Sequence, residues 1–210
     1  YIEKMRRLGI ETERSDYLTS VDVTIAALQR ERPEKKCYVF GTRSFYSQLR
    51  DAGISVTARP DPDVDILLCG FDRELTFQKL EDACILLNRG AEFWATNPDW
   101  VCPTWYGSVP DCGSVCRMLT TATGRTPRFL GKPQPDMAVL AMARTGFAPE
   151  QTVLLGDRLY TDIACGAAAG IDTVFVLSGE GTEADIEKFG VQPTWVRRDI
   201  AALLQELEDN

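Results

Sequence analysis

The sequence of 210 residues contains no histidine. That excludes His-based serine or cysteine triads and His-containing zinc sites within these residues. Acid–base work falls instead to carboxylates, Lys, Tyr or Cys. There is no Cys-x-x-Cys pair either. The seven cysteines, Cys37, Cys69, Cys84, Cys102, Cys112, Cys116 and Cys165, are an odd number and are scattered, several inside apolar runs. This is the pattern of reduced core thiols in a cytoplasmic protein rather than of a disulfide scaffold. Cys102, Cys112 and Cys116 lie close together in sequence, but a structural zinc site wants four ligands in tighter pairs. No apolar run approaches the ~18 residues of a membrane-spanning helix, and no signal peptide is visible. Basic residues are in deficit, 23 against 31 acidic, for a net charge of −8. General nucleic-acid binding, which neutralises phosphates with Lys and Arg, is therefore disfavoured.

What is present is organised around Gly156-Asp157-Arg158-Leu159-Tyr160-Thr161-Asp162, read together with Lys132. Thr152 to Leu155 is a short apolar run of strand formers, ending at Gly156. Asp162 then opens a small-residue segment, Ile163 to Ala169, closed by Gly170. The pattern predicts strand, acidic loop and helix, with Gly at the helix C-terminus. Ligands of parallel α/β sheets bind beyond the carboxyl ends of the strands, where both carboxylates fall. One or two loop carboxylates suit a hard cation such as Mg²⁺, which takes oxygen ligands and keeps some of its waters. Each residue also has a plainer reading. Asp162 could serve only as a helix N-cap, Asp157 only as a turn residue, and Lys132 only as a solvated surface charge.

The apolar fraction, 44%, is ordinary for a chain with a sizeable core. Along that chain, Tyr1 to Leu8 and Val21 to Arg30 show helical spacing, the second with Thr19-Ser20 as its cap. Cys37 to Thr96 alternates strand and helix repeatedly, the signature of a parallel α/β unit. Asn97 to Gly113 breaks the pattern with Pro98, Pro103, Pro110, Trp100, Trp105 and Tyr106. It reads as a long loop without regular structure. Its aromatics either face a substrate or cover the core of their unit. Helices are predicted over Ser114 to Ala122, Asp136 to Thr145, Glu183 to Phe189 and Asp199 to Leu207. Strands are predicted at Phe129-Leu130, Thr173 to Leu177 and Thr194 to Val196. Asp72 and Glu74, after the strand Ile66 to Gly70, imitate an Asp-x-Asp pair. The next residue is Leu75 where a tight turn would want Gly, so a polar strand-to-helix turn is the better reading.

Leu130-Gly131-Lys132-Pro133, followed by Gly-Asp-x4-Asp at 156–162, resembles the third and fourth motifs of the haloacid dehalogenase (HAD) superfamily, NagD-like phosphatases in particular. Ala95-Thr96-Asn97-Pro98-Asp99 and Pro110-Asp111-Cys112-Gly113 resemble segments of that subfamily's cap. The resemblance implies a doubly wound, Rossmann-like α/β core over 1–32 and 124–210, with an α/β cap inserted at 33–123. It implies a Mg²⁺-dependent phosphatase of small phosphate monoesters, nucleotide monophosphates or sugar phosphates, acting through an aspartyl-phosphate. Lys132, Asp157 and Asp162 are the implied catalytic residues, with Asp157 and Asp162 at the metal. Lys132, Arg158, Leu159, Tyr160, Thr161 and Asn97 would line the substrate, a small phosphorylated metabolite. A homodimer through the cap is an option the resemblance leaves open. The family's nucleophile lies in an Asp-x-Asp-Gly strand, and no such motif occurs here. The sequence opens in what resembles the helix after the second motif, so the nucleophile is expected upstream of Tyr1. A metal-independent dehalogenase, a phosphomutase and a non-catalytic phosphoryl-binding protein remain alternatives.

Overall fold

A computed structural model describes residues 1–209. Two helices come first, α1 (Ile2–Arg7) and α2 (Ser20–Glu31). A mixed run follows: β1 (Cys37–Phe40), α3 (Arg43–Asp51), β2 (Val56–Thr57), β3 (Ile66–Cys69), α4 (Phe77–Asn88) and β4 (Glu92–Ala95). Then come β5 (Val101–Thr104), β6 (Gly107–Pro110), α5 (Cys112–Thr123), β7 (Arg128–Phe129) and α6 (Asp136–Thr145). The last stretch is β8 (Val153–Gly156), α7 (Ala164–Ala169), β9 (Asp172–Val176), α8 (Ala184–Phe189), β10 (Trp195–Arg197) and α9 (Ile200–Glu208). Among the described residues no helix is long and apolar enough to cross a membrane.

The larger sheet has the order β2-β1-β3-β4-β7, and every pairing in it is parallel. Its strands are apolar on both faces, and strand side chains alternate between faces. Tyr38, Phe40, Leu67, Cys69, Phe93 and Ala95 point to one side, into a cluster with Leu86 and Leu87 of α4 and Val115 and Leu119 of α5. Cys37, Val39, Ile66, Leu68 and Trp94 point to the other, with Ala27 and Leu28 of α2 and Phe45 and Leu49 of α3. Helices on both faces make this a doubly wound α/β layer, as the alternation in sequence predicts.

Two of its parts come from outside residues 33–123. Strand β7 pairs with β4, Trp94 opposite Arg128, and so closes the larger sheet rather than opening the next. Helix α2 buries its apolar face on the same sheet. Glu31 at its end is clamped by the Arg128 guanidinium, Nη2 to Oε1 at 3.0 Å. Helix α2 is started by Thr19, whose hydroxyl accepts the Asp22 N–H while Asp22 accepts the Thr19 N–H at 2.8 Å. This reciprocal capping satisfies two backbone donors that a helix start leaves open.

The second sheet is smaller, β10-β9-β8, again parallel. The outer edge of β8 pairs with no strand among the described residues, and Val153 and Leu155 on it are exposed.

Residues 97–113 differ from the predicted irregular loop. They contain the antiparallel hairpin β5–β6, Val101 opposite Pro110 and Thr104 opposite Gly107. Pro103 and Pro110 argued against strands, because Pro removes a ladder donor. A two-stranded ribbon has only edges, where Pro is tolerated. Trp105 and Tyr106 form its tip, edge to face at 5.2 Å between ring centroids. Trp105 is 95% exposed, so it does not cover the core.

Candidate active site

Lys132 and the acidic loop come together at the carboxyl end of β8. Lys132 Nζ donates to Asp162 Oδ1. The other oxygen, Oδ2, accepts the Arg158 backbone N–H at 3.2 Å. The geometry behind this is a π-turn over Leu159–Ile163, closed by Ile163 N–H to Arg158 O at 3.3 Å. Such wide turns are frequent at functional sites. Asp162 therefore sits inside the turn and does not cap α7, whose N-cap position is Ile163. It is also pressed against Gly156, where an added Cβ would stand 2.1 Å from Asp162 Cβ.

Asp157 faces the loop after β9. Its Oδ2 accepts the Glu180 N–H at 3.0 Å and its carbonyl accepts the Gly181 N–H at 3.0 Å. A Cβ at Gly179 would lie 2.0 Å from Asp157 Oδ2. The carboxylate thus occupies a cradle that only glycine can leave open. No group among the described residues hydrogen-bonds its Oδ1.

Arg158 does not face an open site. Its Nε and Nη2 donate to the two carboxylate oxygens of Glu180, both at 2.7 Å. Its Nη1 lies 3.5 Å from Asp99 Oδ2. The Glu180 carboxylate holds the guanidinium pKa further above its usual value. Arg158 is thereby a tie between the acidic loop, the loop after β9 and the segment leading into the hairpin. Asp99 Oδ1 is buried without a hydrogen-bond partner among the described residues. Burial pushes the Asp99 carboxyl up, against the pull of Arg158 and Lys132.

A cavity of about 390 Å³ opens beside Lys132. Asn97, Asp99 and Thr96 line it from the hairpin side, Gly131, Lys132 and Thr161 from the side of the acidic loop, and Tyr17 to Ser20 from the start of α2. Gly131 allows the two sides to meet closely, since a Cβ there would lie 2.3 Å from Thr96 O.

The residues predicted from sequence divide accordingly. Lys132, Asn97 and Thr161 share the cavity, and Asp162 holds Lys132. Leu159 is a correction: it is 1% exposed, packed with Ile163 and Phe175 in the core, and its side chain cannot touch a substrate. Tyr160 turns away onto Phe189, 5.4 Å between ring centroids, and does not line the cavity. Asp72 has both oxygens engaged, Oδ2 by Lys79 Nζ at 2.7 Å and Oδ1 by the Glu74 N–H at 2.8 Å. It is the polar turn predicted for it. Asp99 and Glu180 were not predicted. Asp99 follows Asn97 in the quoted cap segment, but its tie to Arg158 depends on a tertiary approach no local pattern records.

The HAD-hydrolase-like family model matches residues 129–203, and the haloacid dehalogenase-like hydrolase model matches residues 1–55. The acid sugar phosphatase of Staphylococcus epidermidis is 32% identical over 206 residues, 98% of this chain and 79% of that protein. The 4-nitrophenylphosphatase of Thermotoga maritima superposes with a TM-score of 0.89 at 32% identity, covering 98% of this chain and 78% of that one. The glycerol phosphate phosphatase of Mycobacterium tuberculosis, solved in complex with magnesium, superposes with a TM-score of 0.89 at 29% identity, covering 96% of this chain and 62% of that one. The same enzyme is also solved with calcium, so a divalent metal is the supported class of cofactor. With its paired Lys132 and Asp162, its acidic loop and these likenesses, the chain belongs to the haloacid dehalogenase-like hydrolases, as a phosphatase of small phosphomonoesters in the NagD-like group.

Proposed function

We propose that the chain hydrolyses small sugar phosphates in a Mg²⁺-dependent reaction passing through an aspartyl-phosphate. The observation that carries this reading is the Lys132–Asp162 pair at the wall of a polar cavity shared with Asn97 and Asp99. Lys132 places a fixed positive charge where the phosphoryl oxygens gain negative charge, an arrangement that is often the largest catalytic term. Asp162 acts as a positioning residue. Both its oxygens are engaged, so it orients Lys132 and the Arg158 backbone rather than ligating a metal directly.

Asp157 is the residue that would hold the metal. Its donors are oxygens, its Oδ1 has no competing hydrogen bond, and its position is fixed by the Gly179–Gly181 backbone. This suits a hard cation that keeps several waters. When bound, Mg²⁺ supplies charge neutralisation at the phosphoryl oxygens. No Asp-x-Asp-Gly occurs in the sequence, so the residues named here take the charge-stabilising and metal-holding roles and not that of the nucleophile.

Asp99 lines the cavity beside Lys132 and offers a carboxylate to a substrate hydroxyl. A carboxylate at the cavity wall can accept a hydrogen bond from a hydroxyl of a bound phosphate ester. The Arg158 tie keeps Asp99 in place for that contact.

Phosphate release from a panel of sugar phosphates and nucleoside monophosphates, with and without EDTA, tests the reading. Lys132→Ala and Asp157→Asn should each lower the metal-dependent rate by about 10² or more, the scale of one lost transition-state contact. Asp99→Asn should raise KM for sugar phosphates by roughly tenfold, one charged hydrogen bond, and leave kcat largely in place. Near-wild-type rates in Lys132→Ala or Asp157→Asn would overturn the assignment.

A further inference from the structure

A second cluster of chemistry-bearing side chains lies away from the phosphatase site. Cys69 is the last residue of β3. Cys112 is the first residue of α5, and Cys116 is one turn further along the same face. All three side chains turn into the core between the larger sheet and α5. Cys112 Sγ lies 3.9 Å from Cys69 Sγ and 3.9 Å from Cys116 Sγ. The three sulfurs all fall within 4.8 Å of one another. Cys102, the near neighbour in sequence, is not among them. It sits on the hairpin with its sulfur 3.9 Å from Pro103 O.

Buried cysteines usually act as small apolar fillers, and nothing in that role requires three sulfurs to converge. Their spacing fits a common ligand. Two thiolates bound at about 2.3 Å to one metal lie about 3.8 Å apart in tetrahedral geometry and about 4.0 Å apart in trigonal geometry. We propose that Cys69, Cys112 and Cys116 form a three-sulfur site for a soft, thiophilic cation of low coordination number, Cu(I) in particular.

The choice of Cu(I) over Zn²⁺ follows from what surrounds the sulfurs. Structural zinc takes four ligands. The chain has no histidine, and the three cysteines are 0%, 0% and 1% exposed, which keeps water from serving as the fourth ligand. The polar atoms against the cluster include Thr96 Oγ1, 3.9 Å from Cys112 Sγ, the Cys69 carbonyl, 3.5 Å from the same sulfur, and the Gly70 carbonyl, 4.0 Å from Cys69 Sγ. Soft sulfur donors select Cu(I), which accepts three of them. Binding of Cu(I) releases thiol protons to solvent and consumes no oxidant or reductant. Cys112 stands at the N-terminus of a 12-residue helix, whose partial positive charge favours the thiolate form and offsets negative charge left on the complex.

The test uses the reduced protein under anaerobic conditions, with Cu(I) offered alongside a competing Cu(I) chelator. Bound copper is counted after gel filtration and its ligand shell read by X-ray absorption. The wild type should retain about one equivalent with three sulfurs near 2.3 Å, the signature of a single such site. Cys112→Ala and Cys69→Ala should each lower the retained copper by about tenfold, while Cys165→Ala and Cys102→Ser should leave it unchanged. Circular dichroism of each variant separates lost copper from lost fold, and Cys116→Ser serves if Cys69→Ala does not fold. Copper that survives Cys112→Ala undiminished would overturn the site. So would a wild type that retains none, or one that holds Zn²⁺ against the same competition more tightly than Cu(I).

Discussion

The two parallel sheets differ most in how their faces and edges are covered. In the larger sheet, alternate residues of β1, β3 and β4 are buried on both sides by helices. In the smaller one, β8 pairs on one edge only among the described residues, and Val153 and Leu155 on it are exposed. The larger sheet holds the two larger buried clusters, and the smaller one carries Asp157 and its loop. The part that shapes the cavity from the other side, Thr96 to Asp99, grows directly from the end of a well-buried strand, β4.

This contrast can be broken by experiment. Leu68→Ala, at a position with no exposed surface, should cost about 2–5 kcal/mol in denaturant unfolding, the usual range for a buried leucine. Leu155→Ala, 39% exposed, should cost less than about 1 kcal/mol. Equal costs would mean that the two sheets are equally sealed. Next in size, Gly179→Ala should leave the unfolding midpoint close to wild type but lower phosphatase rate by about 10². A side chain there would displace Asp157, and about 1 Å of misplacement can cost that much. A normal rate would show that the cradle yields.

The smallest effect concerns the clamp between α2 and β7. Arg128, then Arg30, hold the Glu31 carboxyl down at about 2. Its folded value is below its unfolded value of about 4.3. The clamp therefore contributes above about pH 4.3, and its contribution is lost as pH falls towards 2. The pair is partly exposed, so the gain is at most about 1 kcal/mol. Glu31→Gln should lower stability by up to about 1 kcal/mol at neutral pH, change it little near pH 2 and so flatten the profile across that window, as read by unfolding titrations at several pH values.

Much of the framework was legible in the sequence because the larger sheet is buried on both faces. Cys37 to Phe40 and Ile66 to Cys69 are continuous apolar runs, and helices closed by Gly or begun by Thr separate them. The meeting of Lys132 with Asp162 fits the order of strand, loop and helix read from the sequence, while the roles expected of them and of Asp157 come from the family resemblance. The hairpin was hidden by Pro103 and Pro110, which signal loops unless the ribbon is known to be all edge. Leu159 misled because a residue inside a functional motif can still turn inward, here to anchor the π-turn against Phe175. The Arg158 tie could not be read at all, since its partners Asp99 and Glu180 meet it only through the fold.

Gly156, Gly179 and Gly181 each lack room for any side chain against Asp162, Asp157 or the Phe175 ring. The consequence reaches the gene. A single-base change in a glycine codon, unless silent or a stop, always encodes a residue with a Cβ atom. Those three codons therefore have no mild missense neighbour. In a library scored for phosphatase activity they should stand out as positions of near-zero tolerance, although none of the three offers a functional group.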